Sequence, residues 1–157
     1  MGLLQMKFSL ASLALLPVLA GCPTQDQITT DAEVRRLCAV DGGVKIYEAI
    51  KLPTEKFNQW GQVNFYRPDQ GERALGTEYI FRSEEKFYRT GNPSLIRYHH
   101  EVIRRIDNKK LGETTSYGRG GGDIPGPWEP SNLHCPPTSE SSETALFKRV
   151  FLQSNEE

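Results

Sequence analysis

Residues 95–117 read LIRYHHEVIRRIDNKKLGETTSY, and this stretch decides the fold. Leu95 to Ile106 alternates. Ile96, Tyr98, His100, Val102, Arg104 and Ile106 share one face, while Leu95, Arg97, His99, Glu101, Ile103 and Arg105 share a more polar one. Alternation of this kind marks a strand with one side on a core and the other toward water. Asp107-Asn108-Lys109-Lys110 supplies a hairpin turn, and Leu111 to Tyr117 returns as the partner strand. A turn this short joins antiparallel neighbours.

Working outward, Thr77 to Tyr88 reads as a second strand region bent in its middle, and residues 90–93 as a turn. Val44 to Leu52 (VKIYEAIKL) alternates and predicts another strand. Pro53 opens a short helical turn ending near Trp60-Gly61, and residues 67–76 (RPDQGERALG) read as an exposed loop. Ala145 to Leu152 (ALFKRVFL) is apolar; its aromatic and β-branched content favours strand over helix. Residues 136–143 and the last few residues read as mobile. Near the start, Thr30-Asp31-Ala32-Glu33 matches the capping box. Val34, Leu37 and Cys38 follow at one-face helical spacing, and Gly42-Gly43 stops the run. The expectation is an α+β domain over residues 30–152, one N-terminal helix on an antiparallel sheet of about four or five strands.

The chain has 157 residues, near the size of one domain. It holds 19 Lys+Arg against 20 Asp+Glu, a balance that excludes a polycationic nucleic-acid arm and names no nucleic-acid partner. With 37% hydrophobic and 10% aromatic residues there is enough apolar material for a core, which excludes wholesale disorder.

Lys7 is followed by an uncharged apolar run, Phe8 to Ala20, much shorter than the roughly 20 residues a membrane-crossing helix needs. A positive start, a short apolar run and small residues at a cut site describe a secretory signal peptide. The run ends Leu19-Ala20-Gly21-Cys22, which resembles the lipobox of bacterial lipoproteins. The alternative is a plain signal peptide cut at Ala20-Gly21. The resemblance implies cleavage after residue 21, acylation of Cys22, and a polar tether over residues 22–29. It implies a lipid bilayer as partner, several acyl chains on one residue being enough to anchor stably. Pro23, where an inner-membrane retention rule would place Asp, points to the outer membrane, with the domain facing the periplasm. Residues 111–135 are similar to small, uncharacterised proteobacterial lipoproteins, a resemblance that implies no activity and carries over no site residues.

Once Cys22 is set aside, Cys38 and Cys135 remain, and outside the cytoplasm such a pair predicts a disulfide. A redox pair would want CxxC, and a metal site would want clustered ligands; the three histidines lack the usual spacing, so neither a metal nor a cofactor is expected.

Two stretches invite chemistry. Tyr117 to Asp123 is glycine-rich, and Arg119, Gly120 and Gly121 could cradle an anion, though the stretch lacks P-loop spacing and the favoured reading is a mobile or tightly turned connector within the Gly118–Pro130 loop. Trp128 in that loop reads as a lid on the sheet or as core. Alternation also puts His99 and Glu101 on one face, a pair fit for general acid–base work but without an identified nucleophile. The bland alternative is a solvated face of mixed charge. Arg97, Arg104, Arg105, Lys109, Lys110 and Arg119 gather round the hairpin and could meet lipid headgroups or an anionic partner, diluted by nearby carboxylates. Three functions follow: a non-enzymatic envelope interaction module with a protein partner, a small envelope hydrolase using His99 and Glu101, or a mobile-element exclusion lipoprotein.

Overall fold

The computed structural model of the protein describes residues 23–127 and 129–154. The lipobox with Cys22, Trp128 and the final three residues lie outside them. The domain is α+β, with an N-terminal helix packed on a five-stranded antiparallel sheet. In chain order the elements are α1 (Gln25–Asp41), β1 (Gly43–Ile46), β2 (Ile50–Leu52), β3 (Tyr79–Arg89), β4 (Ser94–Arg104), β5 (Lys109–Gly120), β6 (Asn132–Cys135), α2 (Thr138–Ser141), α3 (Glu143–Val150) and β7 (Phe151–Gln153). The long strands β3, β4 and β5 form the body of the sheet. Two short strands share the free edge of β5: β1 pairs with Gly112–Thr115 and β6 with Tyr117–Gly120. Strands β2 and β7 make a separate parallel pair.

One face of the sheet carries the main core. Tyr79, Phe81, Val102 and Leu111 are covered by Leu146, Phe147, Val150 and Phe151, with Phe57, Val63, Ala74 and Leu75 closing the side. The aromatic rings meet edge to face, Tyr66 on Phe147 at 4.8 Å and Tyr79 on Phe151 at 4.9 Å between centroids, the arrangement their quadrupoles favour. Gly112 permits the close approach of α3. A side chain there would meet Val150 Cγ2 at 2.9 Å and Ile46 Cδ1 at 3.0 Å.

On the opposite face α1 covers one end. Val34 packs with Leu95 and Tyr117, joined by the partly buried Leu37, Cys38, Leu133 and Cys135. The disulfide Cys38–Cys135 closes this small cluster, with Cα atoms 5.8 Å apart across 97 positions of sequence. Loop closure of that size stabilises by about 4–5 kcal/mol in the chain-entropy account.

Several expectations need correcting. The helix starts at Gln25, so residues 25–29 are not tether. Thr24 is the cap, accepting from the Gln27 backbone N–H at 3.1 Å, and Gln27 is held by Ser131 Oγ at 2.9 Å. Thr30 is mid-helix and buried; its hydroxyl donates to the Asp26 carbonyl at 2.7 Å and accepts from Arg89 at 2.8 Å. Glu33, expected to complete the capping box, pairs with Arg36 instead. A capping signature states a local option, and tertiary contacts beyond it extended the helix.

The predicted strand Val44 to Leu52 is two strands in two sheets. Tyr47 and Glu48 both donate their N–H groups to the Leu111 carbonyl, which turns the chain off β5. The segment 67–76 is not simply exposed: it forms a 3-10 stretch, Pro68–Arg73, and Ala74 and Leu75 seal the core. Of the segment 145–152, residues 145–150 are helix, not strand, and only Phe151 and Leu152 lie in a strand. Ser142 caps Ala145, and Leu146, Phe147 and Val150 line up on one buried side. Part of the 136–143 stretch is the short helix α2, with Ser141 buried. Ile106 sits in the hairpin turn and is 90% exposed, not on the buried face.

Candidate functional site

The uncovered part of the polar face holds the charged residues, and strand register explains how. Between β3 and β4, Arg82 stands opposite Glu101 and Glu84 opposite His99. Between β4 and β5, Glu101 stands opposite Glu113 and His99 opposite Thr115. The β4–β5 register shifts at Leu111, an extra residue that leaves Ile103 opposite Lys110 but Val102 opposite Gly112. A bulge of one residue reverses which face each following side chain takes. Without it Glu113 would point into the core.

These residues make a small network. Lys110 Nζ donates to Glu101 Oε2 and Glu113 Oε2, both at 2.8 Å. Arg82 reaches Glu101 Oε1 at 3.3 Å and Glu72 at 3.0 Å. His99 Nδ1 is 3.0 Å from the Thr115 hydroxyl, and its Nε2 is 3.9 Å from Glu113 Oε2. Tyr47 donates to Glu113 Oε1 at 2.8 Å. One donor atom from each of His99, Glu101 and Glu113 lies within 4.8 Å of the other two. A cleft of about 600 Å³ opens over His99 and Glu101, rimmed by Arg82, Glu84 and the Pro68–Arg73 segment.

Burial lowers the His99 pKa below its ordinary value, helped by Arg97 and opposed by the two glutamates. It is therefore a neutral imidazole at pH 7. Burial pushes the Glu101 and Glu113 carboxyls upward, but Lys110 outweighs it, with Arg82 at Glu101 and Tyr47 at Glu113, and both end below the usual range. In chemical terms this is a neutral imidazole beside two carboxylates bridged by an ammonium.

The pair His99 and Glu101 is thus brought together in a concave site, as the sequence suggested. Glu113 and Lys110 adjoin the pair in the same charge network. Both were visible as charges near the hairpin, but only the bulge sets them on this face.

Arg119, Gly120 and Gly121 do not form an anion cradle. Residues 118–120 belong to β5, and Arg119 is buried against α1. Its guanidinium donates to Asp31, to the Gly121 carbonyl, and at 3.0 Å to both the carbonyl and hydroxyl of Ser131. An internal carboxylate already fills the role an anion would take. Most of the cationic cluster is likewise paired from within: Arg97 faces Asp41, Arg104 holds Asp107 and Glu48, and Lys109 holds Glu48, while Arg105 donates to the Thr77 and Tyr79 carbonyls.

A second cavity of about 400 Å³ lies on the core face, between α2, the start of α3 and the sheet, and is lined by Tyr98, His100, Ser116 and His134. His100 stacks on Phe81 at 5.8 Å, and its Nδ1 is buried with no hydrogen-bond partner among the described residues. Burial lowers its pKa also.

Comparisons with protein-family models, curated proteins and solved structures found no match. Among the described residues no helix is long and apolar enough to cross a membrane.

Proposed function

We propose that this chain is a lipid-anchored protein of the bacterial envelope, held by acylated Cys22, facing the periplasm from the outer membrane. Its work is to bind another envelope protein. The anchor rests on the Leu19-Ala20-Gly21-Cys22 resemblance, and pairing of Cys38 with Cys135 leaves Cys22 as the unassigned third cysteine. The binding role is carried by one observation: the outer edge of β3. Among the described residues no strand pairs with it, Arg82 to Arg89 are exposed along its length, and Phe87 and Tyr88 are about half exposed at its end. An open edge with charged and aromatic side chains fits an extended segment of a partner added as a further strand.

A photo-cross-linker placed at Phe87 in cells should give one protein adduct, absent when the linker is at the more exposed Trp60. Equal adducts at both positions, or none at Phe87, overturn the binding role. Palmitate labelling should vanish in Cys22→Ala; label that survives removes the anchor.

A hydrolase reading has one observation in its favour, the placing of His99 and Glu101 in the larger cleft. It lacks a nucleophile, so acid–base work alone would have to carry it.

A further inference from the structure

We infer that His99, Glu101 and Glu113 form a binding site for a divalent transition-metal ion of the zinc class, gated by Lys110. The inference does not depend on the lipid anchor or on the β3 edge.

Three features carry it. The first is the ligand set. One imidazole and two carboxylates suit zinc, which binds catalytic centres through three protein groups and leaves a position open. The donors sit on adjacent central strands of the sheet, not on loops, so their backbones are fixed. They lie within 4.8 Å of one another. A tetrahedral zinc with bonds of about 2.0–2.1 Å holds neighbouring ligands roughly 3.3 Å apart. Closing the difference means turning the two glutamates from Lys110 toward the ion.

The second is orientation of the histidine. Thr115 Oγ1 lies 3.0 Å from His99 Nδ1. In the tautomer whose Nδ1–H donates to that hydroxyl, the Nε2 lone pair faces Glu113 Oε2 at 3.9 Å and is available to a metal. Outer contacts of this type are what hold a metal-binding imidazole in place.

The third is the cross-strand pair. Glu101 and Glu113 stand directly opposite each other, where like charges destabilise a sheet. The arrangement demands a cation, and Lys110 supplies one at 2.8 Å from each carboxylate. A lysine ammonium is a compact point charge on a flexible stem. Here the side chain is 40% exposed, on the strand next to the turn, so it can swing out and yield its place. The cleft over His99 and Glu101 gives the ion a path and leaves room for water or a ligand at its open position.

The test uses the full-length chain in detergent, without a polyhistidine tag and with the disulfide intact. Co²⁺ titration followed by visible absorption, and Zn²⁺ titration by calorimetry, should show one saturable site. His99→Ala and Glu113→Gln should each weaken binding at least tenfold, while His100→Ala leaves it unchanged. Lys110→Ala removes no ligand and should tighten binding several-fold, with Zn²⁺ raising its Tm more than that of the unaltered chain. Absence of any Co²⁺ band and Zn²⁺ heat up to millimolar metal overturns the site. So does binding that survives His99→Ala, or Lys110→Ala that folds and binds no better. If Glu113→Gln fails to fold, the Lys110→Ala and His99→Ala results still decide.

Discussion

Phe81 and Arg82 are neighbours on β3 and face opposite worlds. Phe81 is buried, edge-on to Phe147 at 5.3 Å, in a face closed by α3 and Phe151. Arg82 stands half exposed between Glu72 and Glu101. The same alternation builds both faces, but different terms hold them. The core face is held by apolar area and ring packing, where each side chain contributes a large share and none is free to change. On the charged face individual exposed pairs contribute little to stability. What matters there is the arrangement: two opposed carboxylates, an oriented imidazole and a removable ammonium. At its other end α1 covers that face, and a guanidinium becomes a structural part.

The largest break in this comparison should come from the core face. Phe151→Ala deletes a fully buried ring and should cost about 3–5 kcal/mol in urea unfolding. A loss below about 1 kcal/mol would mean that the α3 side closes the core less tightly than its packing implies. Next comes the covered end of the polar face. Arg119→Ala leaves Asp31 and the Gly121 carbonyl without their donor, and should cost about 3 kcal/mol. Arg82→Ala, on the open part of the same face, should cost under about 1 kcal/mol. Equal effects at the two arginines would erase the distinction between covered and open.

The smallest effect is in pH. His99 on one face and His100 on the other both have folded-state pKa values below the usual histidine range, because burial opposes the charged ring. Their contribution is present above the unfolded value of about 6.5 and is lost as pH falls through the depressed folded values. Stability should therefore decline as pH drops below about 6.5. A second loss should follow below the ordinary glutamate value of 4.5, where Glu101 and Glu113 protonate. His100→Leu should flatten part of the upper decline. Urea midpoints that stay level from pH 7.5 to 5.5 would contradict the burial of both rings.

The central hairpin was legible because its signals are local: period-two alternation over Leu95–Arg104, a turn at Asp107-Asn108, and a return strand. The helix with Val34, Leu37 and Cys38 on one side was legible for the same reason, though its start was not. Thr24 caps it through the Gln27 N–H while its own hydroxyl donates to the Gly122 carbonyl 98 positions away, a contact no window of sequence contains. Within the segment 145–152 the strand reading failed at residues 145–150, because a short apolar run has no period long enough to separate helix from strand. Arg119 looked like a binding group because the glycines round it suggested a loop, whereas pairing with β6 made the segment a strand and Asp31 its partner.

By itself the sequence determined the α+β class, the central hairpin, the pairing of Cys38 with Cys135, and the sharing of one face by His99 and Glu101. Each follows from spacing of two to four residues or from the count of cysteines. Only the tertiary structure decided that Glu113 and Lys110 join them and that Arg119 does not. The physical reason is the extra residue at Leu111 and the arrival of α1. A bulge exchanges the faces of a strand, and a packed helix turns an exposed charge into a buried one; neither is written in the residues whose roles it sets.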